Sequence, residues 1–475
     1  MGKFDFQSTL DNFSILNEIN IQSLDKDLSP HRRNLNNFAV FSIALKSWIA
    51  RYSKGEDITE LNISFEELNK TLKNRWNKEA LKVYVGRNRK ELNEFNKNFQ
   101  FLLNKKDLKL NTNSKNDNND GYVLFNGKLE KIQKYNFSKI ENFHQLDSNL
   151  VFNNGNLIFF DNKGTILNFD QNSKLKWKTN NYSKNEKKLG PLISMTHNSK
   201  HLFVTDNLSK IYAIDLTDGM VVWSKTNSLP FNSIIKFFDN KIFVVDSNNN
   251  LNCFSAKDGS LIWQHKTEKS FINSSKKLSI IIKNNIVTFS NSLGDITAID
   301  AKNGSLVWQK FTQNSKIYED IMTLKMSDLI INNESIYFSN NKSQFYSIDL
   351  NTGITNWIQK ISSNIKPSII GNFIFTISTD GYFFIIEKNT GNILRITNVL
   401  NNLKKKKNKE FYPTGFVFNF QNLFISTNNG KLIVTDIKTG KIKNILNVDN
   451  DIISRPIVQN QSMYLIKDSS IVKLN

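Results

Sequence analysis

Two histidines spaced four residues apart form the pattern in this sequence that is best suited to metal chemistry. On a helix, His197 and His201 would share one face, where two imidazoles can bind a zinc ion. The three residues between them are Asn, Ser and Lys, which are typical of a β-turn, and an apolar stretch typical of a strand begins at Leu202. We therefore predict that both histidines are solvated residues beside a turn and that the chain has no metal site.

A single cysteine limits the redox chemistry of the chain. Cys253 has no second cysteine with which to form an intramolecular disulfide or a metal-binding pair. Its neighbours Leu251, Asn252 and Phe254 are typical of a strand. We therefore predict a buried and unreactive thiol at this position.

Other catalytic patterns are absent from the sequence. It contains no glycine-rich phosphate-binding motif, no nucleophile-elbow serine and no zinc-protease helix motif. Many of its acidic residues fall within recurring Asp-Gly turns, where a structural role explains them. We therefore predict that the protein is not an enzyme and uses no cofactor.

A phrase of nine residues recurs along the chain, with Asp in its first, Gly in its fifth and Trp in its ninth position. The complete copies contain Asp215, Gly219 and Trp223; Asp300, Gly304 and Trp308; and Asp349, Gly353 and Trp357. The partial copies contain Gly259 with Trp263, Gly391 with Arg395, and Asp436 and Gly440 with Asn444. A copy that is one residue shorter ends at Trp177.

Each residue type in this phrase suits one structural role. Glycine fits a hairpin turn that needs a positive φ angle. Aspartate at the end of the preceding strand can accept hydrogen bonds from amides of the turn. Tryptophan at the start of the next strand can pack on the neighbouring repeat. We predict this packing role rather than a platform for a ligand.

The spacing of the phrase predicts the fold. Its glycines lie 38 to 49 residues apart, and each interval contains four short apolar runs, which is typical of β-propeller blades. The seven copies predict seven blades. Residues 452–475 supply three further strands, and residues 126–132 resemble the missing turn and fourth strand. We predict an all-β, eight-bladed β-propeller over residues 121–475, closed by both ends of the domain.

Residues 1–110 predict a small α-helical N-terminal segment. Apolar residues recur at helical spacing from Leu35 to Tyr52 and from Phe65 to Trp76, and a third helix is predicted through Phe95 and Phe99. The segment is either a docking or oligomerisation element or a helical cap on the larger domain. Residues 111–120 contain no apolar side chain and predict a polar linker.

The formal net charge of +20 allows two interpretations. A basic surface would attract nucleic acid or anionic lipid. A compositional bias toward Lys and Asn also explains the charge, because both residue types are scattered through most repeats. The aromatic residues mostly fall at alternating strand positions, where they can be part of the core. We favour the bias and do not expect nucleic-acid binding. The dense run from Lys404 to Lys407 predicts an exposed loop tip.

The first residues contain no targeting signal. Residues 1–8 lack the apolar core of a signal peptide. The longest apolar stretch, Phe38 to Ala50, is interrupted by Ser42 and Lys46 and is too short and too polar to span a bilayer. With Met1 as the start, these features predict a cytoplasmic protein without a transmembrane segment.

The frame A-x-D-x-x-x-G-x-x-x-W, seen from Ala213 to Trp223 and from Ala298 to Trp308, resembles the PQQ-like repeat family. This family includes quinoprotein dehydrogenases and the BamB-type outer-membrane protein assembly factors, and the stretch from Phe424 to Leu474 looks most like the end of the latter. The resemblance implies a scaffold of the periplasm or outer membrane. Its partner would be the β-barrel assembly machine, which it would support in assembling and inserting β-barrel proteins.

Two alternatives to this function follow from the same sequence. A PQQ-dependent oxidoreductase would carry the same repeats, although quinoprotein dehydrogenases typically have two adjacent, disulfide-linked cysteines over the quinone, ligands for Ca²⁺ and an Asp base. The single Cys253 cannot form that pair. The second alternative is a cytoplasmic propeller of unknown partner, whose helical N-terminal segment is the functional part.

Overall fold

A computed structural model of the chain describes residues 94–96, 99, 121, 124–137, 150–267, 274, 276–312, 324–400 and 412–475. All of these residues lie in one compact unit, Val85–Asn475. They form 32 β-strands and, within the described residues, one short helix, α1 (Lys184–Lys188). The strands assemble into eight four-stranded antiparallel sheets, which confirms the predicted eight-bladed propeller.

Within the described residues the first strand is β1 (Lys131–Asn136), and it is followed by blades whose four strands pair in sequence order. Blade one contains β2 (Val151–Asn153), β3 (Asn156–Phe160), β4 (Ile166–Phe169) and β5 (Leu175–Thr179). Blade two contains β6 (Ile193–His197), β7 (His201–Asp206), β8 (Lys210–Asp215) and β9 (Val221–Thr226). Blade three contains β10 (Lys236–Phe238), β11 (Lys241–Val245), β12 (Leu251–Ser255) and β13 (Leu261–His265). Blade four contains β14 (Ile280–Lys283), β15 (Ile286–Ser290), β16 (Ile296–Asp300) and β17 (Leu306–Lys310).

The remaining blades follow the same order until the last one. Blade five contains β18 (Ile330–Asn332), β19 (Ser335–Asn340), β20 (Gln344–Asp349) and β21 (Thr355–Gln359). Blade six contains β22 (Ser368–Ile370), β23 (Phe373–Ile377), β24 (Tyr382–Glu387) and β25 (Ile393–Asn398). Blade seven contains β26 (Pro413–Phe418), β27 (Asn422–Thr427), β28 (Lys431–Asp436) and β29 (Ile442–Asn447). Blade eight contains β30 (Ile457–Gln459), β31 (Ser462–Lys467) and β32 (Ser470–Leu474), with β1 as its fourth strand.

The pairing of β1 with β32 closes the ring. Lys131 lies opposite Leu474, and Asn136 lies opposite Ser470. Both ends of the domain therefore contribute strands to blade eight, and β1 begins within the stretch 126–132 that resembled the missing turn and strand. Leu129 has a φ angle of +67°, which breaks the extended conformation just before the strand.

The core lies between neighbouring blades rather than within each sheet. The first strands of successive blades contact one another around the axis, and the fourth strands lie outermost. Phe375 in β23 stacks on Phe383 of its own blade with ring centroids 5.9 Å apart, and it contacts Phe418 of the next blade at 5.1 Å. Because every blade needs a neighbour to cover its apolar face, the ring is stable only when it is closed.

The predicted third helix is wrong at Phe95. This residue forms an isolated antiparallel bridge with Ile396 in β25, with N–H to O distances of 3.1 and 3.0 Å. The outer edge of β25 offers unpaired backbone groups, and an extended segment satisfies them where a helix would not. Apart from residues 94–96 and 99, the N-terminal segment predicted over 1–110 lies outside the described residues. The linker at 111–120 and the basic run at 404–409 also lie outside them.

The chain reaches β1 along the inner side of the ring. Leu124 forms a parallel bridge with Phe418 at the end of β26, on the edge of that strand opposite β27. The carbonyl of Gly121 accepts a hydrogen bond of 2.8 Å from Ser368 Oγ at the start of β22. Gly121 and Leu124, which precede β1, therefore lie against β22 and β26, the innermost strands of blades six and seven.

Candidate functional site

The Asp-Gly part of the recurring phrase builds the turn between the third and fourth strands. In blade five, Asp349 Oδ1 accepts hydrogen bonds from the N–H groups of Asn351 at 3.0 Å and Thr352 at 2.8 Å. Gly353, at φ +71°, donates its N–H to the Asp349 carbonyl at 3.0 Å. Asp215, Asp300 and Asp436 accept turn amides in the same way. These aspartates are held in turns and do not face a common site.

The tryptophan of each phrase packs on the glycine of the next blade. A Cβ atom on Gly353 would lie 2.7 Å from Cδ2 of Trp308, and Trp308 Nε1 donates to the carbonyl of Leu350 at 2.7 Å. The same stacking joins Trp177 to Gly219, Trp223 to Gly259, Trp263 to Gly304 and Trp357 to Gly391. The indole rings are therefore part of the contact between blades, in the role that the sequence predicted for them.

Arg395 takes the place of the tryptophan in blade six. Its side chain is buried, and its Nη1 donates to the carbonyl of Ile437 at 3.3 Å, the position that corresponds to Leu350. Its Nε donates to Thr397 Oγ1 at 2.8 Å, and Thr397 covers Gly440 where an indole would lie. The guanidinium thus makes the hydrogen bond between blades that the indole N–H makes elsewhere.

The histidine pair lies where the sequence predicted it. His197 ends β6 and His201 begins β7, and the N–H of Asn198 donates to the carbonyl of His201 at 3.0 Å, which confirms the predicted turn. Among the residues that the structure describes, no group of three or more His, Cys, Asp or Glu side chains is placed to hold a metal ion.

Cys253 lies in β12 with no exposed surface, which confirms the predicted burial. Burial raises the pKa of its thiol to about 12. Since the thiolate is the reactive form, the folded chain keeps this sulfur unreactive near neutral pH.

A cluster of charged side chains lies at one end of the ring, where the connections between blades lead into the innermost strands. We call it the axial cluster, and it consists of Asp206, Lys276, Lys277, Asp328, Lys366 and Arg455. Its centre is Asp328, which accepts from Lys276 Nζ at 2.8 Å and from Arg455 Nη1 at 3.2 Å. Lys276 precedes blade four and Arg455 precedes blade eight, so one carboxylate joins three blades across the axis.

Asp328 is ionised in spite of its burial. Burial opposes its ionisation, but the positive charges of Lys276, Arg455 and Lys366 hold the pKa of this carboxyl well below its usual range. A carboxylate that is only 4% exposed would be unfavourable without such partners.

The other carboxylate of the axial cluster belongs to a hydroxyl network. Asp206 Oδ2 accepts from Tyr182 Oη at 2.5 Å, and the Tyr182 and Tyr212 hydroxyls are 3.3 Å apart. Burial raises the pKa of Asp206. Burial lowers the pKa of Lys277 to about 8, although the charge of Asp206 acts in the opposite direction.

Sequence reasoning missed the axial cluster because its members lie outside the recurring phrase. Lys276, Asp328 and Arg455 stand two to four residues before the strands β14, β18 and β30. A charged residue two to four positions before several apolar inner strands was the signal in the sequence.

No helix in the described part of the chain is both long enough and apolar enough to cross a membrane.

Comparison with known proteins identifies which folds and families this chain is similar to. The family model described as outer membrane protein assembly factor BamB matches residues 162–397. No curated protein matches the sequence of this chain. The solved structure of BamB from Moraxella catarrhalis is 15% identical and has a TM-score of 0.58, with 73% of this chain and 99% of that chain covered.

Other solved structures share the architecture. The computationally designed Ika8 protein is 12% identical with a TM-score of 0.54, and the match covers 74% of this chain and 99% of that chain. The quinohemoprotein alcohol dehydrogenase from Comamonas testosteroni is 10% identical with a TM-score of 0.53, and the match covers 75% and 78%. At these identities the likeness concerns the fold alone. The described chain is an eight-bladed β-propeller of the PQQ-like repeat type, and its residues 162–397 match the family of the BamB assembly factors.

Proposed function

We propose that this chain is a non-catalytic scaffold that binds another protein. The family match suggests a partner within the machinery that assembles β-barrel proteins into an outer membrane. The observation that carries the proposal is an apolar surface on the outermost strands of three successive blades.

This surface, which we call the apolar rim, repeats the same pair of side chains from blade to blade. It consists of Val221 and Val222 in β9, Leu261 and Ile262 in β13, and Leu306 and Val307 in β17. Ile262 is 46% exposed and Leu306 is 51% exposed. Exposed apolar side chains that recur at equivalent positions on neighbouring blades are candidates for a protein-binding surface.

A β-bulge in each outer strand produces the exposed pair. In blade two, Ala213 pairs with Trp223 and Ile214 pairs with Val221, so Val222 is the extra residue of the bulge. A bulge of this kind turns consecutive side chains away from the sheet. The same shift occurs in blades three and four, which places the pairs at equivalent heights on neighbouring blades.

The residues of the recurring phrase support a non-catalytic role because packing occupies them. Its aspartates cap turns, and its tryptophans pack on the glycines of the next blade. Four of these indoles, among them Trp308, also donate a hydrogen bond to a carbonyl of the next blade. A quinohemoprotein alcohol dehydrogenase has the same fold, so an oxidoreductase is the competing function. The only cysteine, Cys253, cannot supply the cysteine pair that the quinoprotein resemblance implied.

Site-specific photo-crosslinking tests the proposal. A photoreactive amino acid replaces Ile262 or Val307 in the full chain, which is then irradiated in its own host cells. We expect discrete adducts with another protein. Lys257, exposed in the turn before β13, is the matched control position and should give none. Identical adducts at all three positions, or adducts at none, would contradict the proposal, as would dye reduction by the purified chain with added quinone and Ca²⁺.

A further inference from the structure

The outer strand of blade one has a bulge at the same place as the strands of the apolar rim. Its register shifts between Asn168 and Phe169, and the extra residue is Lys176. Val222 in blade two and Ile262 in blade three hold the equivalent position. A lysine therefore takes the place of an apolar side chain where this row of bulge residues passes from blade two to blade one.

Four exposed lysines lie in this outer strand and in the connection that follows it. We call them the basic flank, which consists of Lys176 and Lys178 in β5 and Lys184 and Lys188 in α1. The connection that carries α1 contacts the outer strand of blade two, because Asn181 Nδ2 donates to Ser224 Oγ at 3.3 Å. The basic flank is therefore continuous with the end of the apolar rim at β9.

Carboxylates are too few at this end of the row to neutralise the basic flank. Residues 170–190 contain six lysines and two acidic residues, Asp170 and Glu186. Glu186 forms an ion pair with Lys210 at 2.9 Å, and Asp170 accepts amides of its own turn. One further carboxylate, Asp218, lies in the turn of blade two that packs on β5. In the described part of the chain, no lysine of the basic flank forms an ion pair.

The other end of the row carries no charge. Val307 is the bulge residue of blade four, and Asn356 is that of blade five. From blade one to blade five this position therefore holds a basic side chain, three apolar side chains and a neutral amide. A row that is charged at one end only distinguishes the two directions in which a bound segment could lie along it.

The curvature of the ring favours a protein over a lipid surface as the partner. Eight blades complete the ring, so the outer strands of neighbouring blades differ in direction by one eighth of a turn. The row from Lys176 to Val307 therefore bends over four blades. A flat bilayer can contact only part of such a row, whereas a polypeptide segment can follow its curvature and contact every blade.

We propose, on the basis of the function proposed above, that the partner segment covering the apolar rim carries a cluster of aspartate and glutamate side chains at one end, which lies on the basic flank. Its apolar side chains then lie on blades two to four. A segment laid in the opposite direction would place its carboxylates on apolar side chains and leave the lysines unpaired. The basic flank thereby fixes the direction and register of the partner.

Crosslink mapping in host cells tests the chemistry of the partner segment. A photoreactive amino acid replaces exposed Leu175, beside Lys176, or exposed Val307 in the full chain. Mass spectrometry then locates the attached residues of the partner. We expect both positions to attach to the same protein, with the Leu175 adduct in a stretch rich in aspartate and glutamate and the Val307 adduct in an apolar stretch. A Leu175 adduct in a stretch without an excess of acidic residues would overturn the proposal.

Two double variants with the same change of charge test the contribution of the basic flank. Lys176→Glu with Lys178→Glu should lower the yield of the Ile262 adduct by at least about fivefold, as the loss of two exposed ion pairs allows. Lys438→Glu with Lys441→Glu, exposed on blade seven, should leave it unchanged. An unchanged yield in the first variant would overturn this inference and leave the proposed function standing. No Ile262 adduct in the wild type would contradict both.

The same variants exclude other anionic partners. The purified chain is sedimented with phosphatidylglycerol vesicles and, separately, is titrated with duplex DNA. We expect the two double variants to bind each probe equally, because only their equal net charge acts there. Weaker binding of either probe by the variant of the basic flank than by the control variant would identify a lipid or nucleic-acid surface and overturn the proposal.

Discussion

Arg455 of blade eight donates to Asp328 of blade five across the axis of the ring, with Nη1 and Oδ2 3.2 Å apart. Lys276 of blade four donates to the other oxygen of the same carboxylate at 2.8 Å. Blades that are far apart in the sequence are thereby connected at their innermost points, in addition to the contacts that each makes with its neighbours.

Removal of this carboxylate charge should destabilise the ring. Asp328→Asn removes the buried carboxylate charge that two partly buried cations share, and the expected loss is about 3 kcal/mol in the free energy of unfolding. Urea unfolding followed by tryptophan fluorescence measures it. Asp239→Asn is the control, because Asp239 forms an exposed pair with Lys241 at 3.7 Å and should cost about 1 kcal/mol or less. Similar losses in the two variants would refute the role of Asp328.

The stacking of indole on glycine gives a second prediction. Gly353→Ala places a methyl group 2.7 Å from the indole of Trp308. The indole must therefore move, and the contact between blades four and five must open. We expect a loss of about 2–4 kcal/mol, since overpacking adds to the cost of a positive φ angle. Gly190→Ala is the matched control because Gly190 also has a positive φ angle, +66°, and no atom within 4 Å of the added Cβ.

Gly190→Ala should cost only about 1–2 kcal/mol, the price of the backbone conformation alone. Thermal unfolding of both variants, with tryptophan fluorescence as the probe, gives the comparison. If Gly353→Ala proved no more costly than Gly190→Ala, the indole contact would not contribute to the joint between blades.

These two relationships show what the sequence could and could not predict. The phrase Asp349, Gly353 and Trp357 repeats, so its turn and its packing role followed from the spacing of the residues themselves. Asp328 and Arg455 are single charged residues 127 positions apart. Only closure of the ring brings them together, and no local pattern marks them as partners.

The error at Phe95 has a tertiary cause. Phe95 and Phe99 are spaced like residues of a helix, but the edge of β25 provides backbone partners that an extended segment at Phe95 reaches. The closing strand was easier to locate, because the stretch 126–132 resembles a local repeat, and its backbone hydrogen bonds with the end of the chain begin at Glu130. A tertiary partner overrode local spacing only at Phe95.

The buried ammonium of Lys277 predicts a dependence of stability on pH. Its pKa is about 8 in the folded chain, against 10.5 for an ordinary lysine. Between these values the unfolded chain binds the additional proton, so stability contributed at this site rises with pH. Wild type should gain about 3 kcal/mol relative to Lys277→Met from pH 8 to 10.5. A constant difference between them would contradict the burial of a charged Lys277.

The central claim, that the apolar rim of blades two to four binds a partner protein, is tested most directly by covalent labelling of exposed side chains. The reaction is carried out on the purified chain and on intact host cells, and the labelling of Val222, Ile262 and Val307 is compared by mass spectrometry. We expect these three residues to be labelled in the purified chain and at least several-fold less in cells, while Ile358, which is 49% exposed on β21 outside the rim, is labelled equally in both. Equal labelling of the rim in the two samples would contradict the claim.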